Sequence, residues 1–191
     1  MKLRIERDGR LHRIALSSPE LRNVIDAAGC ADLLREIRGA EADDSVGAIL
    51  LEADGPIFCA GCEPDPELMS IGRTIAKPII AAVQGVVLSG GLALAADAHV
   101  VVAAQGTSFG LTEIREGRSG EAFITAIAHA IGRRRALELA LSGRIFSTPE
   151  ALAWGLVHHV APAFELEDRA TEVAGGIANA HPKAIRAMLK I

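Results

Sequence analysis

Residues 77–104 read "KPIIAAVQGVVLSGGLALAADAHVVVAA", and their order decides the architecture. "KPIIAAVQG" (77–85) is a nearly continuous apolar run, the pattern of a strand buried on both faces. "SGGLALAAD" (89–97) opens on glycines and continues with small and apolar residues, which reads as a helix. "HVVVAA" (99–104) is rich in β-branched residues and reads as the next strand. Strand, helix and strand in close succession imply an α/β domain with a largely parallel core sheet.

The flanking sequence extends the pattern. "VGAILLEA" (46–53) is another buried strand, and residues 25–39 carry Ile25, Leu33, Leu34 and Ile37 as a helical stripe. "LRIERDGRLHRIALS" reads as a hairpin, with residues 3–7 and 11–16 extended around the turn pair Asp8-Gly9. Residues 66–76 suit a short helix with Pro66 in its first turn. Residues 121–131, 133–141, 148–154, 164–180 and 182–190 read as helices, and 156–161 as a short strand. No internal repeat, linker or low-complexity tract interrupts the chain.

Composition narrows the function. The chain has 191 residues, half of them hydrophobic, enough to bury a core without staples. Its formal net charge of −4 and 3% aromatic content argue against nucleic acid, which calls for a basic face and stacking surfaces. The one basic cluster, Arg133-Arg134-Arg135, reads as the solvated start of a helix. "MKLRIERDGR" lacks the apolar segment of a signal peptide. No apolar run approaches the ~20 residues of a membrane span. A soluble, cytoplasmic protein with reduced cysteines is the expectation.

"IFCAGCEPD" (57–65) contains a C-x-x-C, a spacing shared by redox pairs and half zinc sites. The segment after Cys62 is acidic and proline-broken, which opposes a low thiol pKa. A zinc site needs further ligands. Cys30 stands alone, and His158-His159 point to opposite faces of a strand. No metal site is therefore expected. Gly117–Glu121 and the segment around Ser89 both miss G-x-S-x-G by register. Neither G-x-G-x-x-G nor a P-loop is present. Two glycine-containing turns remain, Ala60-Gly61-Cys62 and Ser89-Gly90-Gly91, each just after a buried strand. Such turns can aim two backbone N–H groups at one point, as an oxyanion hole does, or can be no more than turns.

Taken together, "IFCAGC", "KPIIAAVQGVVLSGGLALAADAHVVVAAQGTSFGLTEIREG" and "GRRRALELALSGRIFSTPEALAWGLVHHVAP" resemble the enoyl-CoA hydratase/isomerase (crotonase) family from about Leu11 to Pro162. The resemblance implies a spiral of β-β-α units as a core domain over 1–162. A C-terminal helical segment over 163–191 would be shortened relative to the family. It also implies an acyl-CoA thioester as substrate, with coenzyme A as part of that substrate and no separate cofactor. A homotrimer or hexamer is expected on the same ground. The Cys62 and Gly90 N–H groups would form the oxyanion hole, with Ala60, Gly61 and Gly91 lining the substrate. Glu113, in "FGLTE", would be the catalytic acid/base.

The family's hydratases use a second glutamate, in the helix after the Gly-Gly turn. Here that position is Ala93, which cannot carry a proton. A double-bond shift needs a single base, whereas water addition needs two groups or a substitute. Ala93 thus tilts the reading towards isomerisation. Glu63, Asp65, Glu116 and Glu121 are near enough in sequence to supply a substitute carboxylate. Ser89 stands where the family usually has glycine, and only fourteen residues separate Cys62 from Lys77. The rivals are a hydratase, a non-catalytic acyl-CoA-binding homologue, and a thiol redox protein using Cys59 and Cys62.

Overall fold

The computed structural model describes residues 1–190; Ile191, the end of the expected C-terminal segment, lies outside them. Strands β1 (Leu3–Asp8) and β2 (Leu11–Leu16) form the expected antiparallel hairpin. They lead into a six-stranded sheet with β3 (Ala48–Ala53), β4 (Ile79–Val83), β6 (Val100–Ala104) and β9 (His159–Ala161). Its order is β1-β2-β3-β4-β6-β9, parallel from β2 onward. A second sheet joins β5 (Val86–Leu88), β7 (Ser108–Gly110) and β8 (Ile145–Ser147), with β5 and β7 parallel.

The expected single strand over 77–85 is in fact shorter. Gly85 takes φ 64°, and the chain turns there to send β5 into the second sheet. The three short strands of that sheet have too few residues to show a period, so only β5 is even partly visible as apolar sequence.

Eight α-helices complete the described residues. α1 (Ala27–Ala42), α2 (Ile71–Thr74), α3 (Gly90–Asp97), α4 (Glu121–Ile131) and α5 (Arg133–Ser142) come first. α6 (Thr148–Ala153), α7 (Leu166–Ala178) and α8 (Pro182–Met188) follow. Asp26 caps α1 by accepting from the Gly29 N–H, and Ser147 with Glu150 forms a capping box on α6. Arg133–Arg135 are exposed at the start of α5, as their charge requires. All eight residues of α3 are buried; glycine and alanine let it sit deep in the main core beside α4. On the opposite face, Leu166, Ala170, Ala174 and Ala178 of α7 cover Leu11, Leu50, Ile80 and Val102. A parallel sheet covered on both faces matches its unbroken apolar strands.

The chain is a spiral with a repeated unit. β4 lies in the first sheet, β5 in the second, and α3 follows; β6, β7 and α4 repeat this. Two earlier turns are vestigial. After β3 the second strand is only Cys59, bridged in parallel to Val87, and after β2 it is only Ile25, bridged in parallel to Cys62. Equivalent points of successive turns are therefore stacked side by side.

Candidate active site

That stacking brings the expected site residues to one edge. Cys62 lies three residues beyond the Cys59–Val87 bridge, and Gly90 three beyond Val87. Glu113 lies three residues beyond Gly110, which pairs with Leu88. Since these segments run parallel, all three residues emerge at the same end of neighbouring strands, which lie about 4.8 Å apart.

The loop at Cys62 is held from one side. Ile25 donates to the Gly61 carbonyl at 3.0 Å, and the Glu63 N–H donates to the Ile25 carbonyl at 2.8 Å. Successive N–H groups of an extended segment face opposite sides, so the Cys62 N–H faces away from Ile25. On that far side is Gly90: a Cβ built there would lie 3.0 Å from Cys62 N. Only glycine allows this approach. Gly91 is equally confined, since its Cβ would meet the Cys59 carbonyl oxygen at 2.6 Å. Gly90 opens α3, so its N–H has no partner within the helix. Among the described residues neither the Cys62 nor the Gly90 N–H has an acceptor.

Ser89 makes the turn from β5 into α3 at φ 55°, ψ −119°. Residues with a side chain rarely adopt this conformation, and it stores on the order of 1–3 kcal/mol. Neighbours hold it in place: Ser89 N–H donates to the Gly110 carbonyl at 2.8 Å, and its carbonyl accepts from Ala93 N–H at 3.0 Å. The sequence shows a serine in place of glycine but not the conformation it is forced into.

Glu113 opens a 3-10 turn over Glu113–Glu116 and is only 3% exposed. Its Oε2 is buried with no hydrogen-bond partner. A buried carboxylate oxygen left unpaired is costly, and such an atom is available to a guest. Phe109, four residues earlier, anchors the segment by stacking on Phe146 at 5.3 Å.

The four spare carboxylates have other surroundings. Glu116 pairs with Arg118 at the surface, at 2.5 Å. Asp65 accepts from the Leu68 N–H at 2.8 Å. Glu63 and Glu121 are exposed. Ala93 is fully buried in α3.

The cysteines are arranged differently from the C-x-x-C spacing. Cys59 is fully buried and donates to the Gly61 carbonyl at 3.1 Å. The Cys62 sulfur instead meets Cys30, at 3.5 Å. Burial pushes the Cys59 thiol up to about 12 and raises Cys30 and Cys62 as well. All three are therefore protonated thiols at neutral pH, unlike the low-pKa C-x-x-C pair of a dithiol oxidoreductase. Cys30 carried no signal in the sequence, because 32 residues separate it from its neighbour. Among the described residues, no group of three or more His, Cys, Asp or Glu is placed to hold a metal ion. No described helix is long and apolar enough to cross a membrane. Cavities of about 530 Å³ at Arg4, Asp54 and Glu167, and about 680 Å³ at Arg73, His99 and His129, lie away from these residues.

Residues 63–191 match the family model described as enoyl-CoA hydratase/isomerase. A mevalonyl-coenzyme A hydratase of Aspergillus fumigatus is 31% identical over 195 residues, covering 93% of this chain and 72% of the relative. Its counterpart in Beauveria bassiana is 32% identical over 172 residues, covering 76% of this chain and 61% of that protein. The crystal structure of a carnitinyl-CoA hydratase from Mycobacterium avium superposes with a TM-score of 0.88 at 30% identity. That match covers 97% of this chain and 78% of the other.

Proposed function

The chain belongs to the enoyl-CoA hydratase/isomerase family, and from that premise we propose that it shifts the double bond of an enoyl-CoA thioester with one acid/base, Glu113. The observation that carries this reading is the buried, unpartnered Glu113 carboxylate at the same strand end as two N–H groups without acceptors.

The Cys62 and Gly90 N–H groups donate to the thioester oxygen held between them, in a pocket lined by Ala60, Gly61 and Gly91. Glu113 removes a proton from C2 of a 3-enoyl thioester. The electron pair moves onto the thioester oxygen as an enolate, where the two donors and the N-terminal end of α3 stabilise it. The same proton returns at C4, and the double bond lies between C2 and C3. Charge and atoms balance with a single carboxylate. A proton shift between carbons requires neither a metal nor a redox group, and coenzyme A enters as part of the substrate.

Hydration is the second reading, favoured by the relatives named as hydratases. It requires a second group to hold water. Ala93 supplies none, and Asp65 and Glu116 are engaged elsewhere. Incubating the protein with 3-enoyl-CoA and 2-enoyl-CoA in deuterated water decides. A double-bond shift or C–H exchange without hydration is expected. A 3-hydroxyacyl product refutes the single-base reading, and binding without any turnover identifies a non-catalytic homologue. We further infer a homotrimer or hexamer, supported by exposed Ile114, Leu141 and Ile145 near the 3-10 turn; light scattering gives the mass.

A further inference from the structure

We propose that Cys30 and Cys62 form a reversible internal disulfide that clamps the 59–63 loop onto α1. The pair arises from the fold, not from the C-x-x-C spacing. Cys30 stands in the first turns of α1 with its N–H on the Asp26 carbonyl, at 2.9 Å. Cys62 is bridged to Ile25, one residue before Asp26. The two backbones are thus registered by the same short segment, and their sulfurs meet at 3.5 Å. A disulfide bond is about 2.05 Å long, so closure requires about 1.5 Å of sulfur movement, shared by two side chains. Both sulfurs also contact the Glu63 carbonyl. Cys59 is turned towards Gly61 and Gly91 and is not a partner.

Exposure sets the order of events. Cys30 is 1% exposed, whereas Cys62 is partly accessible. A low-molecular-weight disulfide, R′S–SR′, is attacked first by the Cys62 thiolate, releasing one R′S⁻ and leaving a mixed disulfide. Cys30 then loses its proton and attacks the Cys62 sulfur, releasing the second R′S⁻. Two protein thiols become one disulfide and the oxidant becomes two R′SH. Burial raises both thiols, so exchange quickens with rising pH.

The clamp bears on function through the proposed role of the Cys62 N–H, and rests on that reading only there. The test is incubation of the whole protein with oxidised glutathione at mildly alkaline pH. Acid quenching, alkylation and peptide mapping follow, with amide hydrogen exchange over residues 59–63. The expected result is a Cys30–Cys62 cross-linked peptide, Cys59 still alkylatable, and slowed exchange in the loop, all reversed by dithiothreitol. Cys30→Ser should stop at glutathione on Cys62, and Cys59→Ala should still cross-link. A Cys59–Cys62 link, a link between chains, glutathione held on Cys62 with Cys30 free, or unchanged exchange overturns the proposal. If reduced protein turns over enoyl-CoA, oxidation should lower the rate at least about tenfold, the size of a partly lost donor. A protein inert in both states, with the clamp in place, fails the catalytic reading and leaves this one standing.

Discussion

Replacing Gly90 by alanine probes the proposed two-donor site at its tightest point. A Cβ there would stand 3.0 Å from both N and Cα of Cys62, and closer still to its Cβ. Carbon contacts relax at about 3.5–4.0 Å, so the loop and α3 must separate by more than about 1 Å. The loop cannot retreat freely, because Ile25 bonds hold its far side and Cys59 is tied to β5. A misplacement of about 1 Å costs about 10²-fold in rate. Outright loss of one donor costs about 10²–10³-fold, or roughly 3–4 kcal/mol. Gly90→Ala should therefore lower kcat/KM for an enoyl-CoA by about 10²-fold. Overpacking should cost about 1–3 kcal/mol, or roughly 2–12 °C in Tm for a chain of this size. The readouts are change in the conjugated-thioester absorbance and a thermal melt. Cys62→Ala keeps the N–H and should keep the rate within about tenfold, which separates the amide from the sulfur. A Gly90→Ala protein within about threefold of the parent rate would refute the reasoning, since 0.7 kcal/mol or so is less than a displaced donor must cost.

Other perturbations test neighbouring steps. Glu113→Gln should lower the rate by about 10²–10⁴-fold without lowering Tm, because a buried unpaired carboxylate becomes a neutral amide; a rate above about a tenth of the parent's excludes Glu113 as the base. Burial holds His12, His99 and His158 below the ordinary histidine range, and Nδ1 of His99 and His158 accepts the Ile79 and Val101 N–H groups, each at 3.0 Å. The unfolded chain then binds more protons, so stability is full above about pH 6.5 and falls as pH drops through that value, by up to about 1.4 kcal/mol per unit for each histidine. Melts between pH 8 and 5 should show this slope, roughly, and His99→Asn with His158→Asn should flatten it. Ser89→Gly should raise stability by about 1 kcal/mol, strain relief exceeding the entropy of the new glycine; a lower Tm would mean that the turn is not strained.

The sequence carried most of the first sheet and every helix longer than one turn, because those elements are long enough to show a period or an unbroken apolar run. The second sheet was hidden: β7 and β8 have three residues each, and their pairing is set by the spiral, not by local pattern. For the site, Gly90 and the Cys62 turn were recognisable only as linked motifs, and nothing local explains why they meet. The explanation is the stack of equivalent points in successive turns, a property of topology. The C-x-x-C was the reverse case, a local signal that the fold overrides. Cys59 and Cys62 are three apart on an extended segment and face different neighbours, while Cys30 arrives from another turn.

In the proposed mechanism Ala93 decides between the two chemistries, and its surroundings bear on whether a second carboxylate can be restored. It sits three residues after Gly90, on the same face of α3. That helix is buried along its whole length and packs against β5 and α4, and Ala93 itself is 0% exposed. A glutamate there would bring four heavy atoms beyond the alanine Cβ, and a charge, into closed packing. Burying an unpaired carboxylate costs several kcal/mol, and overpacking adds about 1–3 kcal/mol. Ala93→Glu should therefore melt well below the parent, without a 3-hydroxyacyl product appearing. The opposite outcome, a stable variant that hydrates 2-enoyl-CoA, would show that position 93 faces the reacting atoms with room to spare. The parent would then lack only a proton carrier, not the space for one. The two outcomes differ in sign for both Tm and product, so a single variant distinguishes a core that has closed around alanine from a site that is merely missing its second carboxylate.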